Sequence, residues 1–188
     1  MPPLRGSSAR WIYPFFVTMR SVGLRPNEAR SPRKSNVGLE RGILWPTDAK
    51  SKRDARLKKG VPLNSEVIDV LRAWMKETRS EWVFPAPRDP DRHMVYHVVA
   101  RRFGESRQEA GAAPISLHKL RHTFGTRLAE RNIPIQEIQE LMGHRSINTT
   151  RIYVRPSLER KREAVESLVA VQSQMVRKIG EKKQRRMP

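Results

Sequence analysis

The chain has 188 residues, room for one well-filled core, and Trp11, Trp45, Trp74 and Trp82 supply large apolar side chains to it. Its 38 Lys and Arg against 19 Asp and Glu leave a formal net charge of +19, which points to a polyanionic partner, while the apolar run Trp11 to Val17 is too short to span a bilayer and lacks a small-residue cleavage site. Cysteine is absent, which excludes disulfide scaffolds, thiolate zinc sites and cysteine nucleophiles, so any nucleophile carries oxygen or nitrogen.

The first predicted helix covers residues 9–24, with Ile12, Phe15, Phe16 and Met19 on its apolar side, and stops at Gly23-Leu24-Arg25-Pro26, placing Arg25 in a turn. A short helix starting near Pro26 is expected before Asn36. Ile43 to Trp45 and Gly60 to Leu63 read as strands of a hairpin whose tip carries Lys50, Lys52, Arg53, Arg56, Lys58 and Lys59, a basic finger suited to a DNA groove. Ser65 reads as the cap of a helix bearing Val67, Ile68, Val70, Leu71 and Trp74, and Trp82-Val83-Phe84 as the third strand of a small sheet.

After the turn-rich segment 85–92, a helix is expected from His93 to Ala110, and Ser116 caps another running to Arg131. Pro134 suits the first turn of the next helix, whose stripe Ile135, Ile138, Leu141 and Met142 ends at Gly143, so His144 is presented from a helix end. Asn148 or Thr149 caps a short helix bearing Tyr153, and from Leu158 an amphipathic helix with Val165, Leu168, Val169, Met175, Val176 and Ile179 leads into a basic tail.

Arg25, Lys50, His118, Arg121, His144 and Tyr153 thus fall on separate elements, at turns or helix ends. They match what phosphodiester cleavage demands: cations on the non-bridging oxygens, an in-line nucleophile and an acid for the departing 5′ oxygen. Arg25 and Arg121 would clamp those oxygens with their planar forks, in place of a metal ion. The Tyr153 phenol is neutral near pH 7 and needs proton removal or a cationic surrounding, which makes His118 the candidate base. His118 and Arg121 stand three apart on one helix face near its first turn.

Gly23-Leu24-Arg25-Pro26-Asn27-Glu28, the run His118 to Thr123, Leu141-Met142-Gly143-His144-Arg145-Ser146, and Thr149-Thr150-Arg151-Ile152-Tyr153 resemble, in order and spacing, the boxes of the tyrosine recombinases or phage-type integrases, over about residues 10–160. The resemblance implies an α+β, mainly helical catalytic domain over 1–160 with a three-stranded antiparallel sheet on one side, and a separate C-terminal amphipathic helix and tail over 161–188. It implies site-specific recombination through a 3′-phosphotyrosine, with neither cofactor nor metal. Arg25 and Arg121 take the places of the catalytic arginines, His118 and His144 those of the histidines, Tyr153 that of the nucleophile. A hairpin lysine becomes the general acid, Lys50 first and Lys52 second, because the hairpin is longer here before Val61-Pro62-Leu63. The implied partners are double-stranded DNA, further copies of the chain in a tetramer and DNA-bending accessory proteins, in a bacterial cytoplasm at the nucleoid, with no membrane. The sequence departs from the family at Ser31 to Asn36, where an apolar helix and a Trp-bearing turn are usual, and the family's usual N-terminal core-binding domain is expected to be absent.

Two other readings stand beside this one. His93 with His97, and His118 with His122, have the i, i+4 spacing of a metal-binding helix face, though no carboxylate accompanies them at useful spacing. Against the metal reading, His122 is more simply a core or hydrogen-bonding residue beside Thr123; Tyr153, flanked by Ile152 and Val154, would in isolation be a core aromatic, and a DNA-binding remnant without chemistry shares the charge and the motifs.

Overall fold

A computed structural model describes residues 10–47 and 54–154, together with 158, 159, 161, 162, 165 and 166. The chain divides into a unit ending at Val154 and a second from Arg155. In the first unit, α1 (Ile12–Val22) is the central element: Ile12, Phe15, Val17, Met19 and Val22 are all buried. Phe15 sits edge-on to Phe84 at 5.1 Å and to Trp11 at 6.1 Å, the arrangement that aromatic quadrupoles favour.

α1 stops where Gly23 adopts φ 69°, and a Cβ there would lie 2.2 Å from the Phe124 ring. The chain then reverses into α2 (Pro26–Arg30), with Pro26 at the first helical position, so Arg25 emerges from a rigid corner between two helices.

The three-stranded antiparallel sheet is present, but its third strand is not Trp82-Val83-Phe84. β1 (Val37–Gly38), β2 (Ile43–Leu44) and β3 (Val61–Pro62) pair in that order, with Val37 opposite Leu44 and Leu44 opposite Val61. Pro62 is tolerated because β3 lies at the edge. Trp82 makes a single bridge to Arg33, and Val83 and Phe84 are buried in the core outside any strand. Apolar run length does not separate a strand from a buried loop. The turn-rich stretch after Phe84 is a second hairpin, β4 (Pro85–Ala86) and β5 (Asp89–His93).

The hairpin arm before β3 contains a short helix, α3 (Arg56–Lys59), where an extended basic finger was expected. α4 (Ser65–Glu77) is capped one residue earlier than predicted, by Asn64, which accepts the Val67 amide, so Ser65 is its first helical residue. α5 (Tyr96–Glu109) starts beyond His93, so His93 and His97 do not share a helix face. His93 instead faces Arg30 and the ring of Trp82.

α6 (Leu117–Glu130) is capped by Ser116 and α7 (Ile135–Met142) ends on Gly143 in the left-handed region, both as expected. α8 (Ile147–Arg151) is capped by Ser146 instead of Asn148 or Thr149, which leaves Tyr153 just beyond the helix. A large core surrounds α1, and a smaller cluster of Ala129, Ile138 and Met142, flanked by Phe124, Leu128, Ile133 and Tyr153, joins α6 to α7. Among the described residues no helix is long and apolar enough to cross a membrane. The amphipathic helix expected from Leu158 lies mostly outside the described residues.

The Gly23 corner should be intolerant of a side chain. Gly23→Ala combines a positive φ with a clash against a packed aromatic ring and is expected to lower stability by about 1–3 kcal/mol, read as a shift in the urea midpoint.

Candidate active site

The two arginines meet at the end of α7. Arg121, buried on α6, donates from one guanidinium nitrogen to the Gly23 carbonyl at 2.6 Å and from the other to the Met142 carbonyl. Arg25 donates to the Gly143 carbonyl at 2.7 Å and pairs with Glu28. Each fork therefore caps a carbonyl that α7 leaves without a helical partner. A guanidinium has five N–H donors, so both retain unspent donors for an anion.

Tyr153 arrives from the other side. Its ring stacks on His144, with centroids 6.2 Å apart and planes 11° apart, and meets the edge of His122 at 4.9 Å. It lies so close to α6 that a Cβ on Gly125 would come within 2.9 Å of its carbons. His144 Nδ1 is 3.0 Å from the Thr150 hydroxyl, and Gln139 donates to the His144 carbonyl at 3.0 Å. These contacts lock the segment 143–153 into one unit around the histidine.

His118 is exposed at the second position of α6, on the helix that carries Arg121 and His122, and it makes no hydrogen bond to the other candidate residues among those described. Lys50 and Lys52 lie outside the described residues. The structure thus brings together Arg25, Arg121, His144 and Tyr153. A cleft of about 810 Å³ is lined by Arg25 and His144 of this group, with Asp54, Arg145 and Thr149 among others, whereas Arg121 and Tyr153 do not line it.

Sequence reasoning missed a buried ionic cluster behind Arg25. Glu28 is fully buried, and Arg56, expected on a solvated finger, is 3% exposed. Arg56 donates to both Glu28 oxygens at 3.1 and 2.7 Å and to both Asp54 oxygens at 3.0 and 2.7 Å. Asp54 Oδ2 also stands 3.7 Å from Arg25. Two signals were available: Glu28 occupies the third position of a proline-started helix, and Asp54 is the lone acid in the basic run. Neither reveals burial. His122 was read as a core or hydrogen-bonding residue; its Nδ1 lies 3.4 Å from the Thr126 hydroxyl, but its edge contact to Tyr153 was unforeseen.

The electrostatics follow from these positions. Burial raises the carboxyl pKa of Glu28, but hydrogen bonds and charge from Arg56, then Arg25, outweigh it and hold Glu28 below its usual value. Asp54 is likewise lowered against its burial, chiefly by Arg56. Burial, then the Arg25 charge, lowers Arg121 to about 10. Burial, followed by the charges of Arg121, Arg25 and Arg56, lowers His144 to about 4, so its ring is neutral at pH 7. Tyr153 is raised by burial, with the charge of Arg121 opposing.

The sequence profile of the phage integrase family matches residues 5–160. The chain belongs to the phage integrase family. Among curated relatives, it is 31% identical to the tyrosine recombinase XerA of Thermococcus kodakarensis over 161 residues, 82% of this chain and 54% of that protein. It is also 31% identical to the tyrosine recombinase XerD of Ralstonia nicotianae, over 77% of this chain and 48% of that protein. The chain spans about half the length of these relatives. A crystal structure of XerA recombinase superposes with a TM-score of 0.68 at 23% identity, covering 85% of this chain and 60% of the other. The Tn1549 transposon integrase, solved with circular intermediate DNA, superposes with a TM-score of 0.70 at 20% identity, covering 88% and 62%. These superpositions establish the fold, with its mainly helical body and small antiparallel sheet.

The lowered His144 has a pH signature. Between about 6.5 and 4 the unfolded histidine binds a proton that the folded one refuses, so stability is full above that window and falls as pH drops through it. Urea midpoints measured between pH 6.5 and 5 should decline in the parent and decline less in His144→Gln. Equal slopes would show that another group carries the effect.

Proposed function

We propose that this domain cleaves and rejoins double-stranded DNA in site-specific recombination, with Tyr153 as the nucleophile. The observation that carries the reading is the meeting of Tyr153, His144, Arg121 and Arg25 around a single turn, Met142 to His144, reached by residues from four separate segments. A chain of formal charge +19 brings a phosphate backbone to that turn by long-range attraction.

In this reaction the Tyr153 oxygen attacks phosphorus as the bond to the 5′ oxygen breaks, leaving a 3′-phosphotyrosine and a free 5′ hydroxyl. The phenol proton passes to His118, and Lys50, or Lys52, protonates the departing oxygen. Arg25 and Arg121 hold the non-bridging oxygens and stabilise the added negative charge of the transition state with donors already oriented by backbone carbonyls. His144, neutral and fixed against Thr150, has its free ring nitrogen for the phosphate and its face for the Tyr153 ring. Because the phosphodiester bond is stored as a tyrosyl ester, attack by a partner strand's 5′ hydroxyl restores it without ATP or another cofactor.

In this reading the catalytic domain spans residues 1–160, with the segment 161–188 docking a neighbouring copy in a tetramer on DNA, in the bacterial cytoplasm. An N-terminal core-binding domain and DNA-bending accessory proteins complete the proposed assembly. The resemblance of the motifs and the family membership support this part.

On nicked duplexes carrying candidate attachment sites, the chain supplemented with a relative's core-binding domain is expected to form a denaturation-resistant adduct that Tyr153→Phe abolishes. Arg121→Ala should slow adduct formation by roughly 100- to 1,000-fold. Salt-sensitive binding with no adduct would instead mark a DNA-binding remnant, and an adduct persisting in Tyr153→Phe would remove Tyr153 from its role.

A further inference from the structure

The buried cluster behind Arg25 contains charges of both signs that the chemistry above does not use. Arg25 and Arg56 contribute two positive charges, Glu28 and Asp54 two negative ones, so the four groups sum to zero. The division of contacts is uneven. Arg56 engages all four carboxylate oxygens, whereas Arg25 shares Glu28 and stands 3.7 Å from Asp54. Without the Arg56 guanidinium, both carboxylates would face Arg25 alone, the remaining three groups would sum to one negative charge, and with Arg121 counted the net charge offered to an incoming phosphate would fall from one positive to zero.

Arg56 also has a steric position. Gly143 adopts φ 61°, and a Cβ there would fall 2.2 to 2.3 Å from Arg56 guanidinium atoms, so the guanidinium lies directly against the turn. That turn supplies the carbonyl that Arg25 caps and presents His144. One side chain therefore touches both the electrostatic and the geometric support of the site.

We propose that Arg56 is a positioning residue for the phosphate clamp: it takes up Glu28 and Asp54 so that Arg25 keeps its charge for the phosphate, and it braces the Gly143 turn. The role depends on Arg25 binding phosphate, as proposed above. It also makes the hairpin arm between β2 and β3 a part of the site through a buried residue, in addition to any lysine at its tip.

Arg56→Gln leaves Glu28 buried with half its partners and is expected to destabilise the fold. The informative comparison adds Arg56→Gln/Asp54→Asn, which returns the remaining groups to zero charge, and Arg56→Lys, which keeps the charge but loses the fork. Folding of each variant is checked by circular dichroism and its urea midpoint. Two readouts are used: the affinity for inorganic phosphate, followed by NMR of the Tyr153 and His144 ring signals, and the rate of adduct formation on nicked duplex with the added core-binding domain.

Arg56→Gln should weaken phosphate binding by about tenfold or more and slow the adduct by roughly 100-fold. The double variant should recover most of both, and Arg56→Lys should fall between. A folded Arg56→Gln within twofold of the parent on both readouts overturns the role, as does a folded double variant no better than the single one. If the parent binds phosphate in an Arg25-dependent manner but forms no adduct, the recombinase reading fails while the phosphate comparison still decides Arg56. A parent that does neither overturns both.

Discussion

Everything at this site hangs on Arg121. From within α6 it reaches the carbonyl that ends α1 and the carbonyl that ends α7, and so ties the large core around Phe15 to the small cluster around Ile138 and Met142. Buried hydrogen bonds from a charged donor are stronger than neutral ones, and losing one partner leaves either an uncompensated cation or orphaned carbonyls. The same side chain that is proposed to bind phosphate is therefore a structural bolt. Its pKa, lowered to about 10 by burial and then by Arg25, is still high enough to keep it charged at neutral pH.

This double duty explains the order of the motifs along the chain. Gly23, Arg25, Arg121, Gly143 and Tyr153 are distant in sequence, yet each touches a partner at one small junction: Phe124 fills the space beside Gly23, Arg25 caps Gly143, and Tyr153 lies on Gly125. The glycines admit neighbours that any side chain would displace. The cations then satisfy backbone groups that the helix ends leave open. Packing and chemistry are not separable here, since each contact that shapes the junction also orients a donor.

Much of this was legible from residue order. Pro26 after Gly23 marks a corner, Ser116 a cap, Gly143 a stop, and the structure has each of them. These are local signals, determined by φ and by hydrogen-bonding capacity within a few residues. Strand identity was less legible: Trp82-Val83-Phe84 has strand composition, but Val83 and Phe84 are buried as core fillers, while Val37-Gly38, with no apolar run, pairs with β2 through long-range backbone bonds. The burial of Arg56 was the least legible feature. Six basic residues in one stretch read alike, and only the three-dimensional placement of Glu28 and Asp54 distinguishes the one that turns inward.

The burial of two carboxylates in so basic a chain has its own logic. Repulsion between Arg25, Arg56 and Arg121 would drive the guanidinium groups apart, and after burial, the larger cause, these charges add to the lowering of the Arg121 and His144 pKa values. Glu28 offsets it from beneath the surface and Asp54 from the cleft wall, both held by Arg56, while Arg25 and the neutral His144 also face the cleft. An anion entering from the cleft would thus meet Arg25, whose repulsion with the arginines behind it is only partly relieved. Its arrival would complete a compensation that the protein alone leaves unfinished, and in the proposed reaction the negative charge that accumulates as phosphorus gains a fifth oxygen would extend the same compensation further.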